Sequence, residues 1–142
     1  KEVQAFGMKM ITKHFSNEKG LALLEKLQEH PTKGMQFFVS NYLKSFAKDT
    51  PNIILQLEGY FRTSLFNINT NRATKTSVYL FLEEEAVKNE AVAKMTIGLI
   101  NSVLDTKIIT DKSRNIDILL AIALKFPALN IPLQIKEVTN EV

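Results

Sequence analysis

Apolar residues recur along this chain at steps of three and four, the spacing that lines one face of an α-helix. In VQAFGMKMITKHF, residues Val3, Phe6, Met10 and His14 fall on one side. Ser16 can cap the element that follows, where Leu21, Leu24 and Leu27 form a stripe. That element ends near His30, because the residue before Pro31 avoids helical geometry. Thr32 can cap a third helix with Met35, Phe38, Tyr42 and Phe46 as its inner face. DTPN is the clearest start signal in the chain. Pro51 suits the first helical position, where no N–H is needed, and the Thr50 hydroxyl as cap is expected to stabilise by about 1 kcal/mol.

Further helices are expected at 51–66 and at 74–88, the second with Tyr79, Leu82 and Ala86 facing inward. Another is expected at 90–105, with Ala93, Ile97, Ile100 and Leu104 inside, and another at 114–126 behind a Ser113 cap, stopped by Pro127. Asn130 and Pro132 can open a last one. NINTNRATKT, residues 67–76, reads as the principal loop. NIILQLEGYF and TSVYLFLEE contain β-branched and aromatic residues with partial alternation, but no tight hairpin signal separates them and their neighbours are helical.

The pattern predicts an all-α fold of about seven short helices paired as antiparallel hairpins, in one domain spanning 1–142. Pairs starting near 17, 51 and 90 give spacings of 34 and 39 residues. Helical hairpins that stack in the HEAT or armadillo manner repeat at such periods. A compact bundle produces the same pattern, and an α+β arrangement with strands inside 53–82 is the remaining alternative.

Composition narrows the setting. A chain of 142 residues suits one domain and is long enough to bury a core without staples. It begins at Lys1 rather than Met, so it is expected to be a fragment of a longer chain. There is no cysteine and no Asn-x-Ser/Thr sequon, which points to an intracellular, cytoplasmic or nuclear setting. The longest apolar run, Ile118 to Leu124, falls far short of the roughly 20 residues of a membrane helix, so no membrane insertion is expected.

Charge is uneven. Residues 1–48 carry eight lysines against four glutamates, +4, whereas 49–142 carry ten basic and eleven acidic groups, −1, in a net charge of +3. The lysine-rich third is where an anionic partner would bind. Lys9 and Lys13 share a helical face, as do Lys44 and Lys48, and Lys19 and Lys26 share another.

Candidate chemistry is sparse. FLEEEAVKNEAVAKM gathers four carboxylates, but Glu84 and Glu90 each stand four residues before a lysine, the arrangement of a solvated helix face. His14 and His30 are two ligands where zinc needs at least three from the protein. The glycines at 7, 20, 34, 59 and 98 are isolated, no Gly-x-Ser-x-Gly occurs, and nothing groups Arg62, Arg72 and Arg114 around an anion. Neither catalysis nor a cofactor is expected.

Adjacent apolar pairs carry the remaining signal. Phe37 and Phe38, Tyr60 and Phe61, and Phe81 and Leu82 are each separated by about 100° on a helix. Such pairs are buried on two sides or leave one side for a partner. The expected function is a non-catalytic protein–protein interaction or scaffold module that binds through grooves between helices, with Phe37 and the lysines at its surface. The alternative is a helical nucleic-acid-binding domain that contacts phosphates through Lys9, Lys13, Lys19, Lys26, Lys44 and Lys48.

Overall fold

A computed structural model describes residues 32–103 and 109–131, together with Glu2 and Lys26. Among the described residues every regular element is an α-helix, six in number, and there is no strand. They are α1 (Lys33–Ala47), α2 (Pro51–Gln56), α3 (Glu58–Phe66), α4 (Arg72–Ala86), α5 (Glu90–Val103) and α6 (Ile109–Lys125). The helices expected before Pro31 and after Asn130 lie outside the described residues.

The Thr32 carbonyl accepts from Met35 N and Gln36 N and so opens α1, but its hydroxyl makes no capping bond. The inner face of α1 is Met35, Val39, Leu43 and Ala47, one residue round from the expected stripe. Phe38, Tyr42 and Phe46 are half-buried at its edge, with ring centroids 6.1 and 6.4 Å apart in succession. The smaller side chains hold the line of closest approach, and the rings pack alongside it.

Thr50 corrects a second expectation. Its hydroxyl donates to the Lys48 carbonyl rather than capping α2, and its own carbonyl accepts from Ile53 N and Ile54 N behind Pro51. The helix expected over 51–66 bends at Leu57, which sits at φ −90°, ψ 9° with its side chain buried. The bend lets α2 lie on α5 while α3 packs on both α4 and α5.

Helix α4 starts inside the expected loop. Asn71 Oδ1 accepts from Ala73 N at 3.3 Å, the side-chain cap that the Asn/Thr-rich stretch concealed. Asn89 opens α5 in the same way, accepting from Ala91 N at 2.9 Å and Val92 N at 3.2 Å. Ala93 and Ile100 are fully buried as expected, Ile97 is half-buried, and Leu104 lies outside the described residues. Helix α6 begins at Ile109, so Ser113 lies in its interior and is no cap; the helix does end just before Pro127.

Helix α4 is central, packing on α1, α3, α5 and α6. Tyr79, Leu82 and Ala86 point inward, and Phe81 meets Phe61 at 5.9 Å. Two ties fix the direction of α1 against α4. Near their starts, Asn71 N donates to Gln36 Oε1 at 3.1 Å, and near their ends Asp49 N donates to Glu85 Oε2 at 3.2 Å. The partners are 35 and 36 residues apart, so the two helices run side by side in the same direction at a constant offset.

Candidate functional site

The junction after α1 gathers the strongest charges. Asp49 has a left-handed backbone, φ 58°, which a non-glycine residue adopts at a cost. Its N–H is held by Glu85, and its carboxylate Oδ1 lies 2.7 Å from Lys88 Nζ. The same ammonium reaches Glu85 Oε1 at 3.0 Å and Glu84 Oε1 at 3.3 Å, and Lys48 Nζ stands 3.5 Å from Glu84 Oε1. The hydrogen bond from Lys88 holds the Asp49 carboxyl below its ordinary value, with the charges of Lys88 and Lys48 adding to the effect. The Lys88 hydrogen bond does the same for Glu84, helped by Lys48. In return, Asp49 and then Glu85 raise the Lys88 ammonium above its ordinary value.

The reading of EEE as a solvated face holds for Glu84, whose side chain is 54% exposed, and fails for Glu85, which is buried. A signal existed: Glu85 continues the inward series Val78, Phe81 and Leu82 at helical steps. Both Glu85 oxygens are occupied by Lys88 and the Asp49 N–H, so the carboxylate clamps α1 to α4. The expected pair Glu90–Lys94 forms at 2.9 Å on the surface. Among the described residues no three His, Cys, Asp or Glu side chains are placed to hold a metal ion.

Elsewhere the buried polar groups are quiet. Burial pushes the Tyr60 hydroxyl up to about 12, a hydrogen bond with Ser64 opposing it. Burial and then the charge of Asp111 push Tyr79 up to about 12. Both phenols are therefore neutral at ordinary pH. Asn115 is buried beside Tyr79, with both amide atoms short of a well-formed hydrogen bond.

Along the α1–α4 contact, one turn nearer the helix starts than the Lys48–Glu84 pair, lies an open groove of about 510 Å³. Helix α1 contributes Phe37, Asn41 and Lys44; helix α4 contributes Arg72, Ala73, Thr76, Ser77 and Leu80. Its two large apolar side chains face solvent, Phe37 at 42% and Leu80 at 51% exposure. The charged residues lining it are Lys44 and Arg72, and no carboxylate is among them.

The expected site residues are thus divided. Phe37 and Lys44 come together in the groove. Lys48 is drawn to Glu84 instead, and Lys26 is exposed with nothing linking it to the groove. Lys9, Lys13 and Lys19, like His14 and His30, lie outside the described residues. Of the three adjacent apolar pairs, Tyr60–Phe61 and Phe81–Leu82 are buried on both sides, and only Phe37 turns outward. The three arginines are dispersed: Arg62 bonds Glu58 at 2.9 Å and lies over the Phe66 ring, Arg72 lines the groove, and Arg114 sits near Tyr79.

Leu80 and Arg72 are the contributors that spacing alone did not mark. In Val78-Tyr79-Leu80-Phe81-Leu82 five apolar residues run consecutively, more than one helical face can bury, so one of them had to face outward. Among the described residues no helix is long and apolar enough to cross a membrane. No family model matches the chain, and no curated protein or solved structure is significantly similar to it.

Proposed function

We propose that this chain is a non-catalytic protein-interaction module whose binding face is the groove between α1 and α4. The observation that carries this reading is that Phe37 of α1 and Leu80 of α4 are both exposed along the one groove, which Lys44 and Arg72 also line. Large apolar side chains facing solvent from two neighbouring helices are what a partner helix or peptide covers. The basic residues supply orientation and association rate more than affinity.

The constant offset between α1 and α4 supports the stacked-hairpin form of the module, in which equivalent helices of successive units run parallel. The outer face of α6 fits the same reading, because Ile116, Leu120 and Leu124 are exposed there at four-residue steps, as on an uncovered layer.

The test is affinity capture from source lysate in the presence of nuclease, comparing the unaltered chain with Phe37→Gln/Leu80→Gln. A discrete set of proteins retained by the first and lost by the second is expected. If the captured set is insensitive to these substitutions, the groove is not the binding face. If nuclease removes it, nucleic acid was the bridge.

A further inference from the structure

Three helices meet around a small polar cavity of about 10 Å³. Gln36 and Val39 of α1, Tyr60 and Ser64 of α3, Thr70 of the α3–α4 connection and Thr74 of α4 line it. We infer that the cavity binds one water molecule, which the Thr74 hydroxyl holds and which bridges α4 to the polar groups of α1 and α3. The water is then a fixed part of the fold at this junction.

Three observations lead there. The first is size. A water molecule needs roughly 10–15 Å³ of such space, so the cavity admits one and is too small for a phosphate or an organic ligand. The second is the lining. Five of the six residues carry a hydroxyl or an amide, and Val39 alone is apolar. A cavity stays dry when its walls are apolar, whereas polar walls that offer a water two or more partners hold it. The Tyr60 and Ser64 hydroxyls bond each other, which occupies one of their two protons and leaves lone pairs on both.

The third is the Thr74 hydroxyl itself. Thr74 is 2% exposed, and its Oγ1 has no hydrogen-bond partner among the described residues. A buried hydroxyl left in that state is destabilising, so such groups are regularly satisfied by an internal water. Within a helix a buried threonine often turns back to the carbonyl four residues earlier, as Thr96 does to Val92 O at 2.8 Å. Thr74 is the third residue of α4, and the residue four before it, Thr70, precedes the helix. Met35 holds the same third position in α1, buried and apolar. Gln36 lines the cavity and accepts from Asn71 N, so the bound water adjoins the tie that sets α1 against α4.

The experiment compares the unaltered chain with Thr74→Val, which replaces the hydroxyl by a methyl group of similar size, and with Thr74→Ser, which keeps the hydroxyl. Oxygen-17 magnetic relaxation dispersion counts water molecules held longer than the protein takes to tumble, and exchanging hydroxyl protons do not disturb it. The unaltered chain and Thr74→Ser should each hold one such water more than Thr74→Val. The thermal midpoint of Thr74→Val should fall by about 2–5 °C, because the variant loses the bond to the water and leaves the water's other partners unsatisfied.

Equal counts in the unaltered chain and Thr74→Val would overturn the inference. So would a midpoint in Thr74→Val at or above that of the unaltered chain, because removing a hydroxyl that lacks any partner relieves its desolvation cost. A count in Thr74→Ser as low as in Thr74→Val would also overturn it, since the hydroxyl would then not be what holds the water. These outcomes are independent of the groove, and capture through Phe37 and Leu80 stands or falls without them.

Discussion

Asp49 adopts a left-handed backbone that usually falls to glycine at the end of a helix, and it is held there by Glu85 of α4 and by Lys88 just beyond that helix. Glu85 accepts its N–H and Lys88 binds its carboxylate, so the turn between α1 and α2 depends on charges 36 or more residues away. The folded Asp49 and Glu84 carboxyls titrate below their ordinary values of 3.8 and 4.5. Their contribution to stability is therefore complete above that range and is lost as pH falls through the depressed values. Lys88 titrates above 10.5, so its share is complete below that pH and fades only as pH rises past the raised value. Replacing Lys88 by Met should lower the thermal midpoint at neutral pH and flatten its decline below about pH 5, where paired carboxylates otherwise protonate. Lys88→Arg should largely keep the profile. An unchanged acid slope in Lys88→Met would show that the cluster does not couple to folding.

At the level of single elements, helix type and several boundaries were legible from spacing and punctuation. Pro51 opens α2 and Pro127 follows α6, as local chemistry requires. The start of α4 was not, because Asn71 sits among Asn and Thr residues that favour turns and caps alike, and only its bond to Ala73 N separates the two. The inner face of α1 was misjudged by one residue because aromatic size was weighed above fit: Val39 and Leu43 pack at the contact, and the rings border it. The groove was half legible. Phe37 and Lys44 were marked by the sequence, whereas Leu80 and Arg72 join them only through the parallel alignment of α1 and α4. Helix α6 gives a sharp test of register, since Leu119 is fully buried and its neighbour Leu120 is 48% exposed. Leu119→Ala should cost about 2–5 kcal/mol in chemical denaturation, and Leu120→Ala should stay within about 0.5 kcal/mol. Equal costs would mean that α6 is rotated from its described position.

For the whole molecule, sequence spacing alone left both a stack of hairpins and a compact bundle open, because both arise from amphipathic helices with short connections. The two differ in how stability is shared. In a stack each layer depends chiefly on its neighbours, so a local loss stays local, whereas a compact two-state bundle fails as a unit. Helix α4 lies between α1 and α6, which makes α1 the layer to weaken and α6 the layer to watch. Val39 is buried where α1 meets the core, and Val39→Ala removes two methyl groups there without touching either of the hydrogen-bonded ties to α4. Native-state hydrogen exchange at low denaturant reads each helix separately. If the hairpins stack, Val39→Ala should lower the opening free energy of α1 amides by about 1–3 kcal/mol, while the most protected amides of α6 lose much less. Equal losses in α1, α4 and α6 would assign the fold to a single cooperative bundle. The groove between α1 and α4 would then be a crevice of that bundle rather than one member of a repeating series of binding surfaces.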